Sequence, residues 1–238
     1  MKLSYPHICK NIEEIPEKAL SHLDEDLMMR IGDCFTRVFP KFAQAFPKTS
    51  LVIQDQWTKP VLALKKGVRE WLALIVVQKE NKNLFFHLQP EFVDKEGELF
   101  DEDYEMLPHS WKELYRWFDS FCVAEEPYAQ MNWWNTPFRF SGRLDLDDYE
   151  KGIGASKVQT EILSKQLGCS REDLRCFFLS ENEDALFINE KLCDGRVFHV
   201  KGKNFAQVTE LYDPQISLDD YLSFFLSDGN PLDYHFKP

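Results

Sequence analysis

The sequence predicts an α+β protein, with antiparallel sheets flanked by helices and arranged as two sheet-and-helix halves. Two observations carry that expectation. Short apolar runs bounded by turn residues occur in both halves, and beside them stand stretches with apolar residues three and four apart. No repeat at solenoid period is present.

In the first half, residues 12–46 read as helical. Ala19, Leu20, Leu23, Leu27, Ile31, Phe35 and Val38 recur at helical steps, and Pro16 suits a helix start. Pro40 interrupts the pattern, and Phe42, Ala45 and Phe46 form a short extra turn before Pro47. Strands are predicted at 50–54, 61–64, 71–78 and 84–88. The run 71–78 is almost continuously apolar, as expected of a central strand covered on both faces. Glu80-Asn-Lys-Asn83 supplies a turn into the next strand, where His87 lies among apolar neighbours and reads as a structural histidine.

Residues 91–105 are acidic and contain Gly97, so they read as a loop and as the seam between two domains, 1–105 and 106–238. Pro108 then opens a helix whose Trp111, Leu114, Tyr115, Phe118, Phe121 and Cys122 line one face, with Trp117 at its edge. Pro137 disfavours helical geometry at Thr136, which leaves Trp133 and Trp134 in irregular chain before a short strand at 138–140. Ser156 caps a helix carrying Val158, Ile162, Leu163 and Leu167, stopped by Gly168. Ser170-Arg-Glu-Asp173 has the form of a capping box. Strands follow at 175–179, 185–189 and 196–200, the last two joined through Asp194-Gly195. A final helix, capped by Ser217 and ended by Gly229, carries Leu218, Tyr221, Leu222, Phe225 and Leu226.

Composition narrows the function classes. With 238 residues, 44% hydrophobic and 14% aromatic, the chain can bury a sizeable core. Its longest apolar run, 71–77, is far too short to cross a bilayer, and the first residues lack the apolar region of a secretory signal, so a cytoplasmic protein is expected. The six cysteines show no paired spacing and the six histidines are spread singly, so no disulfide framework, metal site or cofactor is expected. Phosphate-binding glycine loops, H-E-x-x-H, G-x-S-x-G and the zinc-deaminase pattern are all absent. No catalytic residue is nominated, and the chain is read as a non-enzyme. An isoelectric point near 5.0 argues against nucleic acid or an anionic membrane as partner.

Charge is the informative quantity. The chain carries a net −12, and residues 91–150 hold 16 acidic against 5 basic residues together with four of the six tryptophans. An acidic, aromatic surface suits a basic protein partner. The candidate contacts are Trp117, Glu125, Glu126, Trp133, Trp134, Asp145, Asp147 and Asp148, with the irregular part, 124–150, as the sharper surface. Two other readings use different chemistry. One is a hydrolase or transferase in which His87, His109 or His199 meets a carboxylate only in the folded chain; the other is a homodimeric interaction scaffold using the aromatic edge.

Two stretches resemble the SMI1/KNR4 (SUKH) superfamily of bacterial immunity proteins. One is Leu107-Pro-x-x-Trp-x-x-Leu-Tyr-x-Trp-Phe-Asp, similar to that family's Leu-Pro helix with inward aromatic and leucine residues. The other is Asp184-Ala-Leu-Phe-Ile-Asn, then Asp194-Gly-Arg-Val-Phe-His-Val, then Leu218-Asp-Asp-Tyr-Leu-Ser-Phe-Phe-Leu, similar to its late strand, glycine turn, strand and closing helix. The resemblance covers 107–228 and leaves the first hundred residues outside it. It implies a non-enzymatic α+β protein; a cytoplasmic monomer or weak homodimer is the accompanying expectation. Such a protein binds and neutralises a cognate toxin, often a nuclease, in systems such as contact-dependent inhibition.

Overall fold

The structure, a computed structural model, describes residues 7–9, 12–20, 23, 25–66, 71–80, 82–87, 120–125, 138–139, 144–145, 157–180, 184–189, 191–192, 195–202, 204–230 and 233–237. The chain divides into two units: Met1–Phe100 with Glu113–Thr136, and Asp101–Lys112 with Pro137–Pro238. Helices and antiparallel sheets make it an α+β protein, as the sequence predicts.

In the first unit the stretch 12–46 is a series of short helices. After a 3-10 turn at Ile12–Glu14 come α1 (Glu17–Leu20), α2 (Glu25–Arg30), α3 (Phe35–Val38) and α4 (Pro40–Ala45). Pro40 and Pro47 each occupy the first position of a helix, where the missing N–H was unpaired anyway and the fixed φ is already helical. The prolines therefore restart the helix instead of ending it.

Pro47 opens α5 (Pro47–Gln56), which corrects the strand predicted at 50–54. Thr49, Val52 and Ile53 resemble a strand by being β-branched, but Thr49, Ser50 and Ile53 are buried at helical spacing. Between these helices Phe35, Phe39, Phe42 and Phe46 form a run of ring contacts, with centroids 5.2, 5.8 and 5.0 Å apart from Phe35–Phe39 through Phe35–Phe42 to Phe42–Phe46.

Five strands follow the order β1-β2-β3-β4-β5: β1 (His7–Ile8), β2 (Val61–Lys66), β3 (Trp71–Lys79), β4 (Lys82–His87) and β5 (Ser120–Glu125). Ile75, Val76 and Val77 are all buried, so β3 is the doubly covered central strand its composition predicts. Lys79 stands opposite Lys82, which leaves a two-residue turn with Glu80 at φ 52°. Thr58 fastens the exit of α5 to β3: its N–H donates to the Gln78 carbonyl at 2.7 Å, and its Oγ1 accepts from the Gln78 N–H at 2.9 Å.

β5 corrects the helix expected to run from Pro108 through Phe121 and Cys122. Residues 120–125 form a strand paired along its length with β4, while 106–119 lie outside the described residues. Pairing with a strand more than thirty residues earlier decides the conformation.

The second unit holds a six-stranded sheet. Its strands are β6 (Phe138–Arg139), β7 (Leu144–Asp145), β8 (Leu174–Ser180), β9 (Ala185–Asn189), β10 (Phe198–Val200) and β11 (Val208–Glu210). The order is β11-β10-β9-β8-β6, with β7 also paired to β8. All of β9 is buried, so the sheet is covered on both faces.

One face packs on α6 (Lys157–Leu167), where Leu163 joins Leu174, Cys176, Ala185, Phe187, Phe198, Val200 and Phe205. The residues that alternate with these, Leu186 and His199, stand in register on the other face. A bulge between Cys176 and Phe178 moves Phe178 to that second face, where it pairs with Leu186 and meets Tyr221 of α7 (Pro214–Leu226).

The helix termini differ in detail from the sequence reading. α6 is rotated so that Thr160, Leu163 and Ser164 are buried, while Val158 and Ile162 are 69% and 40% exposed. The buried hydroxyls are satisfied by the helix itself: Thr160 Oγ1 donates to the Lys157 carbonyl at 3.1 Å and Ser164 Oγ to the Thr160 carbonyl at 3.5 Å. Gly168, at φ 64°, ends the helix as expected. Ser170 precedes a 3-10 turn, Arg171–Asp173, without a side-chain cap. α7 is capped by Asp213, whose Oδ1 accepts from the Ile216 N–H at 2.9 Å, and Ser217 Oγ donates back to the Asp213 carbonyl. Asp228, at φ 68°, takes the left-handed position at the other end, and Gly229 follows with the Phe224 ring lying against it.

Candidate functional site

Of the acidic and aromatic residues nominated from sequence, Trp117, Glu126, Trp133, Trp134, Asp147 and Asp148 lie outside the described residues, as does His109. Two nominees have backbone positions. Glu125 ends β5 opposite Lys82, and Asp145 sits in β7 opposite Arg175. The register thus sets each acid opposite a basic residue. His87 closes β4 opposite Ser120.

What the fold does assemble is a buried polar pair inside the aromatic face of the second sheet. Asp184 directly precedes β9 and His199 is the middle residue of β10. Antiparallel pairing of Ala185 with Val200 brings them together. His199 Nε2 lies 3.1 Å from Asp184 Oδ2, with the two residues 5% and 1% exposed. The other carboxylate oxygen accepts the Gly202 N–H at 2.7 Å, and Gly202 stands at φ 54° in the turn after β10. One carboxylate therefore holds the entry to β9, the middle of β10 and the turn beyond it. A buried carboxylate needs such partners, since leaving it unmet costs several kcal/mol, on the order of 3.

Around this pair stand aromatic rings. Phe236 lies 5.2 Å from His199, 5.8 Å from Phe178 and 5.4 Å from Tyr221, centroid to centroid, and stacks on Tyr221 at 26°. Tyr234 meets Tyr221 at 5.1 Å and Phe236 at 5.4 Å, and its hydroxyl donates to the Ser217 carbonyl at 3.2 Å. Burial, with Asp220 nearby, pushes the Tyr234 phenol up to about 12.

Chemically, the pair orients an imidazole as a carboxylate does in a general-base system. Such a system needs a third group at the other ring nitrogen; the His199 ring packs against Phe236. Sequence reasoning named His199 but missed Asp184, Gly202, Tyr234 and Phe236 as its company. The readable signals were the aspartate just before the apolar run 185–189 and the Tyr-x-Phe alternation at 234–236.

Among the described residues no group of three or more His, Cys, Asp or Glu side chains could hold a metal ion. Among them, too, no helix is long and apolar enough to cross a membrane. No protein-family model, curated protein or solved structure matches this chain.

Proposed function

We propose that the chain acts by stoichiometric binding, as a cytoplasmic immunity or inhibitor protein that neutralises a basic, nuclease-type bacterial toxin. The observation that carries this reading is the distribution of charge: residues 91–150 hold 16 acidic against 5 basic residues in a chain of net −12. A nuclease grips phosphate with basic side chains, so a partner that offers carboxylates meets it with opposite potential and a faster encounter. Glu125, Glu126, Asp145, Asp147 and Asp148 pair with lysine or arginine on the toxin, and Trp117, Trp133 and Trp134 anchor the complex. The resemblance of 107–228 to the SMI1/KNR4 superfamily supports the same partner class. Neither nucleic acid nor membrane is the target, and no catalytic step is part of the activity.

The experiment is a pull-down from source lysate to recover the basic partner, followed by stopped-flow association at low and high salt. The triple variant Asp145→Ser, Asp147→Ser, Asp148→Ser should associate about tenfold more slowly at low salt and lose most of its salt dependence. An unchanged rate and salt slope would retire this surface.

A further inference from the structure

The chain segment that follows α7 is held by side chains rather than by secondary structure. Residues 234–237 belong to no helix or strand, and their burial alternates: Tyr234 is half-buried, His235 exposed, Phe236 6% exposed and Lys237 exposed. An extended segment with this alternation turns every second side chain inward. Phe236 enters a recess whose walls are Phe178 of β8, His199 of β10 and Tyr221 of α7, while Tyr234 closes the rim against Tyr221 and Phe224. The phenol also donates a hydrogen bond to the Ser217 carbonyl.

The walls are fixed without the segment. β10 is paired on one side with β9 and on the other with β11, so no ladder bond depends on residues 234–237. His199 is held in place by Asp184, whose second oxygen is tied to Gly202. Phe178 and Tyr221 contact each other directly, edge to face at 5.6 Å. One buried and one half-buried ring oppose the ordering of a backbone stretch that joins no sheet or helix, two terms of similar size.

From this we infer that residues 234–237 are a detachable strap, and that the recess beneath it is a binding site for a peptide segment carrying two aromatic side chains with one residue between them. The strap's own Tyr-His-Phe is the occupant in the closed chain, and the same segment from a second copy is chemically equivalent to it. This goes beyond the proposed toxin-binding role and uses none of its residues.

The test uses the full chain carrying Phe236→Ala and a fluorescent synthetic peptide of residues 230–237, read by anisotropy. The peptide should bind the variant at least tenfold more tightly than the unmodified chain, whose own strap competes. A peptide with alanine at the Phe236 position should not bind. Equal binding to both chains, or none to a folded variant, overturns the site.

Should the variant lose its circular-dichroism signature, chymotrypsin cleavage of the unmodified chain at Tyr234 and Phe236 decides the matter. A detachable strap is cut at a rate insensitive to urea below the global transition. A rate that rises with the same urea dependence as global unfolding overturns the proposal.

Discussion

Cys176 shows how completely the second sheet excludes water. Its thiol is wholly buried among Leu163, Leu174 and Phe187, and burial pushes it up to about 12, outweighing a smaller lowering by the Phe178 backbone. The unfolded thiol ionises near 9.0, whereas the native one keeps its proton to about 12. The unfolded state therefore releases a proton first, and the stability due to this group is whole below pH 9 and lost progressively from there to about 12. Urea midpoints at pH 8, 9, 10 and 11 should fall across that window. Cys176→Ala should start less stable yet fall less steeply, and parallel slopes for the two chains would contradict the burial. Tyr234, also raised to about 12, adds a decline of the same sign above pH 10. Neither shift was legible in the sequence, where both residues are single members of ordinary runs.

At the scale of elements, α6 separates what pattern can tell from what packing decides. Its apolar residues suggest that Val158, Ile162, Leu163 and Leu167 share the inner face, yet Leu163 is fully buried while Val158 stands mostly in water. Thr160 and Ser164 go inward instead, because each hydroxyl can return its hydrogen to a carbonyl of its own helix. The variants Leu163→Ala and Val158→Ser distinguish the two orientations. The first should cost about 2–5 kcal/mol in chemical denaturation and the second no more than about 0.5 kcal/mol. Comparable losses would mean that the helix sits as the stripe alone suggests.

Strands proved easier to read: the runs at 61–64, 71–78 and 185–189 correspond to β2, β3 and β9 because their apolar residues are contiguous. Residues 50–54, expected as a strand, and Phe121 and Cys122, expected at the end of a helix, exchanged states. The first is helical through the spacing of Thr49, Ser50 and Ile53, and the second is extended through pairing with β4.

For the whole molecule, the α+β class was legible because it rests on the alternation of runs and stripes, not on any one boundary. The Asp184–His199 pair was not, since its members lie 15 residues apart and meet only through the β9–β10 register. Net charge acts at this scale too. A chain of net −12 repels its copies at neutral pH, and that repulsion vanishes near the isoelectric point of 5.0. Static light scattering should show a minimum of solubility close to pH 5, relieved by moving one unit to either side. A minimum well removed from that pH would mean that apolar patches such as Tyr212, 96% exposed, and Ile216 govern association instead.

The bulge in β8 ties these scales together. By simple alternation Leu174, Cys176 and Phe178 would all point to α6, and the recess under residues 234–237 would have no floor. The extra residue, Phe177, shifts the phase of the strand by one step, so that its first part serves one helix and its end serves the other. Regular pairing in place of the bulge, with Phe177 opposite Leu186 and Phe178 opposite Ala185, would leave β9 and β10 hydrogen-bonded as they are. The ring that now meets Phe236 would return to the side of Leu163, and the strap would lose its seat with the rest of the ladder intact.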